Sequence, residues 1–283
     1  MFLCSNIQEM KKKSNISGRV AWLDVARAIG IYAIYLGHFG ETAGPAYRFV
    51  FQFHVPLFFF LAGCTENYNR EESLLKNVKR NIKTILLPAY FFAVLSLMIY
   101  VINANADLTE TCLWGQLIIK GLVRNTYLAA SLWFLTCLFI VKSIFALLKK
   151  MKKWYWLVAA GIFMFLLVEY GMSPRPIDSP RYYYNLDSAC YYMHFYIIGF
   201  LAYPYLKEWL EKTGNIAKSI KTVIAVGLLV YAGLMYYQIN ILSYVPIHNM
   251  IADSGLRLLK TYLMIGAAIT LAYYLQEIEV LSK

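Results

Sequence analysis

Asp24, Arg27 and His38 sit in one apolar stretch, WLDVARAIGIYAIYLGH at residues 22–38, and are its candidates for chemistry. An imidazole can exchange a proton near neutral pH, and a guanidinium can hold an anion through parallel N–H donors. Ionisable side chains are costly within a bilayer, so they usually face a bundle interior or a water-filled cavity and mark function. The competing reading of the same residues is a structural Asp24–Arg27 pair with a hydrogen-bonded core histidine.

A helix needs roughly 20 apolar residues to cross a bilayer core, and residues 20–39 fit that length. Eleven residues at 3.6 per turn return to within about 20° of the starting direction, so Arg27 and His38 share a helix face. They are separated by roughly 16 Å along the axis, about half the hydrocarbon thickness. Asp24, three residues before Arg27, is placed to pair with it. The helix thus carries a fixed cation near one membrane surface and a titratable ring much deeper.

Of the 283 residues, 60% are hydrophobic and only 15% charged, and the mean hydropathy is +0.51. These values point to an all-α, polytopic membrane protein and exclude a soluble domain. The net charge of +11 does not imply nucleic acid, because the basic residues form short clusters between apolar runs. Cys4, Cys64, Cys112, Cys137 and Cys190 lack paired CxxC spacing and argue against a disulfide framework or a zinc site; no metal is expected.

About eight spans are expected, at 20–39, 47–63, 84–103, 130–148, 154–172, 186–205, 219–238 and 254–275. With the amino terminus inside, the outer loops hold only Arg48, Lys120, Arg124, Arg175 and Arg181, whereas most other basic residues fall in inner segments. This asymmetry predicts two cytoplasmic termini. Residues 1–19, with Lys11, Lys12, Lys13 and Arg19, read as a basic cytoplasmic segment before an uncleaved first helix, and 20–283 as a single membrane-embedded domain. Arg27, Lys142, Arg257 and Lys260 fall within spans. Two loops are long enough to shape a site: 103–129, with the amphipathic segment LWGQLIIKGLV, and 173–187, rich in Pro and Tyr. The tyrosines suit an interfacial belt or stacking on a sugar.

The run RVAWLDVARAIGIYAIYLGH resembles the opening helix of the acyltransferase type 3 family, integral membrane acyltransferases that often O-acetylate bacterial surface carbohydrates, and the Arg27-x10-His38 spacing matches its signature. FQFHVPLFFFLAGC at 51–64 resembles the second helix. KNVKRNIKTILLPAY at 76–90 resembles the basic segment that runs into a Pro-Tyr helix start, with Ala89 inserted between Pro88 and Tyr90. SLWFLTCLF and YYMHFYIIGFLAY, ending at Phe139 and Tyr203, resemble later helices.

The resemblance implies an acyl-coenzyme A donor, acetyl being the expected group, an acceptor hydroxyl on a cell-surface or envelope carbohydrate, and no bound cofactor. It places the chain in the cytoplasmic membrane as a multi-pass protein whose partners are donor, acceptor and bilayer. A bundle of this size can act as a monomer, and a homodimer is the alternative. Coenzyme A carries phosphates far from its thioester, so cations near the cytoplasm and chemistry deeper in suit it; Arg27, Arg80 and Lys83 are the candidate cations. Positive-inside topology is the other explanation for Arg80 and Lys83. Acyl transfer needs a base for the hydroxyl proton, and His38 is the candidate; a covalent acyl-histidine is a second route. His54 is read either as a substrate-orienting group or as core, and Trp133 either as packing on the donor arm or as an anchor. His194 and His248 are expected to be structural, and Glu66 and Glu169 to be solvated at span ends.

Members of this family commonly have about ten spans and continue into a Gly-x-Tyr-Ser-Leu segment, whereas this sequence ends at Lys283. That departure raises an alternative, a catalytically inactive binding or transport module of the same fold. Retention of both Arg27 and His38 favours the enzyme, and a proton-coupled transporter would be expected to show paired intramembrane carboxylates.

Overall fold

A computed structural model describes residues 20–67, 73–104, 133–151, 153–172, 185–246 and 249–276. The basic amino-terminal segment, LWGQLIIKGLV, the Pro/Tyr-rich residues 173–184 and His248 lie outside the described residues. Every described regular element is helical.

The chain opens with α1 (Ala21–His38). A single turn of 3-10 helix, Gly40–Ala43, then leads into α2 (Pro45–Val50). Gly40 and Gly44 have φ of 59° and 57°, a region open to glycine at little cost, and Pro45 begins α2, where its missing N–H is not needed. The second apolar run is not one uninterrupted helix. It breaks at residues 51–53 and restarts as α3 (His54–Cys64). Pro56 accounts for the break: it is tolerated in the first turn of a helix but not in an interior.

Ser73 accepts from the Lys76 N–H and caps the short amphipathic α4 (Leu74–Asn81). A π-helical turn, Ile82–Leu86, joins it to α5 (Leu87–Ala104), with the Leu87 N–H reaching back five residues to the Ile82 carbonyl. Pro88 follows at once and cannot donate, and such wide turns are one way helices re-satisfy carbonyls near a proline. Then come α6 (Trp133–Leu148), α7 (Trp154–Leu167) with a terminal π turn, α8 (Leu186–Glu211), α9 (Asn215–Tyr236) and α10 (Met250–Leu275).

Four helical stretches are long and apolar enough to cross a bilayer: Pro45–Cys64, Trp154–Met172, Asn215–Tyr236 and Met250–Leu275. They support a helical membrane protein.

The described residues form two compact units. One comprises 67–198. Its core holds Cys137, Val141, Phe145, Leu157, Met193 and Tyr196, with α4 against α6 and α7 against the first half of α8. Gly161 permits that last approach, since a Cβ there would lie 3.3 Å from the His194 Cα. The other comprises 20–66 and 199–276. There α1 packs on α10 and α3, α10 on α9, and α2 on α9, around Trp22, Leu57, Phe60, Phe200, Tyr203 and Met264. Gly199 of α8 meets the α3 backbone so closely that any Cβ would overlap the Phe60 carbonyl.

Candidate active site

The second unit holds four of the candidate residues. Because α1 is unbroken, Arg27 and His38 keep the 11-residue separation on one face, with His38 at the helix end and exposed. Arg27 Nη1 donates to Asp24 Oδ1 at 2.8 Å, and the two side chains are 39% and 34% exposed. A surface pair at this spacing is worth only about 0.2–0.5 kcal/mol, so it contributes little stability in water. Within a bilayer an unpaired Arg costs about 2.5–3.5 kcal/mol or more, and Asp24 offsets part of that while leaving the other guanidinium N–H groups to a ligand. Arg27 is also within electrostatic reach of the buried Cys64 thiol at the end of α3.

His54 is buried and its Nδ1 lies 2.7 Å from the Val50 carbonyl. A carbonyl only accepts, so Nδ1 carries the hydrogen, and in the neutral ring Nε2 presents a lone pair. The bond spans the break between α2 and α3, and the same carbonyl also accepts from the Phe53 N–H at 3.2 Å. Phe51 packs edge-on against the ring at 5.0 Å, and His38 is within electrostatic reach of it. Helix restart, proline and histidine therefore form one local device at the junction of α2 and α3.

Arg80, Lys83 and Trp133 belong to the first unit. Arg80 is half-buried at the end of α4, and its carbonyl accepts from the Thr84 hydroxyl at 3.0 Å. Lys83 is exposed in the π turn. Trp133 begins α6, with its ring 6.2 Å from that of Tyr192. Its carbonyl accepts from the Thr136 hydroxyl at 2.9 Å, and Asn185 Nδ2 donates to Thr136 Oγ1 at 3.0 Å. Asn185 adopts φ 58° just before α8. Trp133 is thus fixed in a polar corner between α6 and α8, a role its place in an apolar run does not announce.

His194, expected to be structural, is buried between Phe165 and Phe195, at ring distances of 5.3 and 3.9 Å. Glu66 corrects its expectation: it is buried, not solvated, because the turn ending α3, with the Glu66 N–H on the Gly63 carbonyl, folds it back against the helix. Glu169 is half-buried in the π turn after α7. Among the described residues, no group of three or more His, Cys, Asp or Glu is placed to hold a metal ion.

Two features go beyond the sequence reading. Lys221 of α9 is buried and donates to the Leu210 and Lys212 carbonyls at 2.6 and 2.7 Å, closing the carboxyl end of α8. Arg257 and Lys260, read from sequence only as charges within a span, line a cavity between α10 and the connection from α9.

These helices and the Asp–Arg–His set of α1 define a polytopic helical protein with a charged site on its first described helix. The family model described as an acyltransferase domain, that of acyltransferase type 3, matches residues 20–278, and the chain belongs to that family. No curated protein and no solved structure matched the chain.

Proposed function

We propose that this membrane acyltransferase moves an acyl group, acetyl being the expected one, from acyl-coenzyme A to a hydroxyl of a cell-surface or envelope carbohydrate. The observation that carries the reading is the undistorted α1, which holds the paired Arg27 and the exposed His38 on one face in a chain of acyltransferase family. Arg27, with Arg80 and Lys83 from the basic segment, binds donor phosphates, and Asp24 orients the Arg27 fork. His38 accepts the acceptor hydroxyl proton as the oxygen attacks the thioester carbon. The new C–O bond forms, the C–S bond breaks, and the imidazolium returns its proton to the departing coenzyme A thiolate. His54, locked as the Nδ1–H form, presents Nε2 to orient the acceptor, and Trp133 packs on the donor arm. The chain works in the cytoplasmic membrane with about eight spans and both termini inside, and residues 20–283 act as one functional domain.

The test is transfer of radiolabel from acetyl-coenzyme A to a panel of envelope glycans by membranes holding equal amounts of wild-type or His38→Ala protein. A general base contributes about 100-fold or more, so the variant should lose nearly all transfer. Undiminished transfer by His38→Ala would remove His38 as the base. Donor binding without turnover by the wild type, across the panel, would favour the binding-module alternative.

A further inference from the structure

The cavity lined by Arg257 and Lys260 has no part in the donor chemistry above. Its volume is about 340 Å³, at the lower end of the range of small-ligand sites, and Asn240, Ser243 and Asp253 supply the rest of its polar lining. All of these residues belong to one compact unit.

Arg257 and Lys260 are three residues apart on α10, hence neighbours on one face, where like charges repel. Asp253 is the single carboxylate of the lining, so one positive charge stays in excess. Among the described residues Lys260 makes no ion pair. The ordinary explanation is snorkelling, in which long cations at the end of a span reach the interface. Its premise holds: 26 residues of α10 rise about 39 Å, beyond a hydrocarbon core of about 30 Å, which puts Arg257 near a boundary. It does not account for both cations lining one partly open cavity. Arg257 itself is held in place, with Nη2 donating to Ser254 Oγ at 2.8 Å.

The cavity opens at the end of the unit that bears His38. After His38 the chain turns into α2, whose Phe49 meets Tyr236 at the end of α9 at 5.7 Å. Arg48 donates to Gln238 at 3.3 Å, in the connection that leads into the cavity wall. We infer that this cavity is an acceptor subsite for an acidic sugar, in which Arg257 and Lys260 hold a carboxylate or phosphate. The inference rests on the acyl-transfer reading for the word acceptor, while the binding itself stands apart from it.

The test uses the full chain in nanodiscs of phosphatidylcholine and measures equilibrium binding of trigalacturonate, mannose 6-phosphate and uncharged maltotriose. At least one acidic probe should bind saturably, weaken several-fold between low and high salt, and bind at least tenfold more tightly than maltotriose. Arg257→Gln with Lys260→Gln should weaken that binding at least tenfold, and Arg257→Lys should retain most of it. The stronger acidic probe identifies the anion. Equal binding of charged and uncharged probes, no binding of either acid, or wild-type affinity in the double variant would overturn the inference. Abolition of the binding by phosphatidylglycerol in the discs would reassign the cavity to a lipid headgroup. Loss of transfer in His38→Ala is read separately, so failure of the chemistry and failure of the subsite give different results.

Discussion

At the scale of the residue, the site is built from groups given one partner and left with capacity for another. Arg27 spends one N–H on Asp24, and His54 spends Nδ1 on Val50. For Arg27 the difference between charge and shape is decisive. A charge-assisted hydrogen bond is worth about 1.5–3 kcal/mol, so Arg27→Ala should raise the KM for acyl-coenzyme A about 10- to 100-fold with a smaller change in kcat. Arg27→Lys should recover only part of the loss, because an ammonium does not reproduce the planar fork. Steady-state kinetics in membranes with matched protein levels would decide it, and an unchanged KM in the alanine variant would take Arg27 out of the donor site.

At the scale of the element, two contacts carry more than their sequence suggests. Gly199 and Gly227 are both helical glycines, yet a Cβ at 199 would strike the Phe60 backbone, which cannot rotate away, and a Cβ at 227 would meet nothing within 4 Å. Gly199→Ala should therefore destabilise by about 1–3 kcal/mol or more, whereas Gly227→Ala should be neutral or gain up to about 1 kcal/mol of helix propensity. Thermal unfolding in detergent compares them directly. Lys221 closes the end of α8 through two carbonyls and lies 5.4 Å from the Tyr273 ring centroid, joining the ends of three helices. Lys221→Met keeps the stem but leaves the carbonyls bare, and should lower stability by about 2–4 kcal/mol without changing the KM for the donor. A melting temperature equal to the wild type's would show the cap to be idle.

The apolar runs made the helices legible, and Arg27-x10-His38 made the central pair legible, because both depend on local periodicity. The break at residues 51–53 was half-legible in Pro56. Lys221 and the Arg257–Lys260 cavity were not, since a basic residue near a span end has the same signature whether it faces lipid headgroups, a helix terminus or a cavity. Which one it faces depends on contacts such as Arg48–Gln238, made between residues far apart in the chain.

At the scale of the molecule, the reading requires a defined direction across the membrane, with residue 213 inside and residue 243 outside. Cys64, Cys137 and Cys190 are free and buried, so replacing Cys4 and Cys112 by serine leaves no described cysteine exposed. In that background, Ser243→Cys should react with a membrane-impermeant maleimide on intact cells, and Thr213→Cys only after permeabilisation. The reverse pattern would invert the topology and place His38 on the cytoplasmic side.

The wide turn at Ile82–Leu86 bears on how this chain accommodates a change in length. A helix that gains one residue normally rotates everything beyond it by about 100°, which would turn the Tyr90 side of α5 away from the angular position it holds relative to Arg80. A π turn takes up one residue without adding that rotation. This chain carries such a turn between its basic and apolar ends, so those ends lie one residue further apart in sequence than an unbroken α-helix of the same phase would set them.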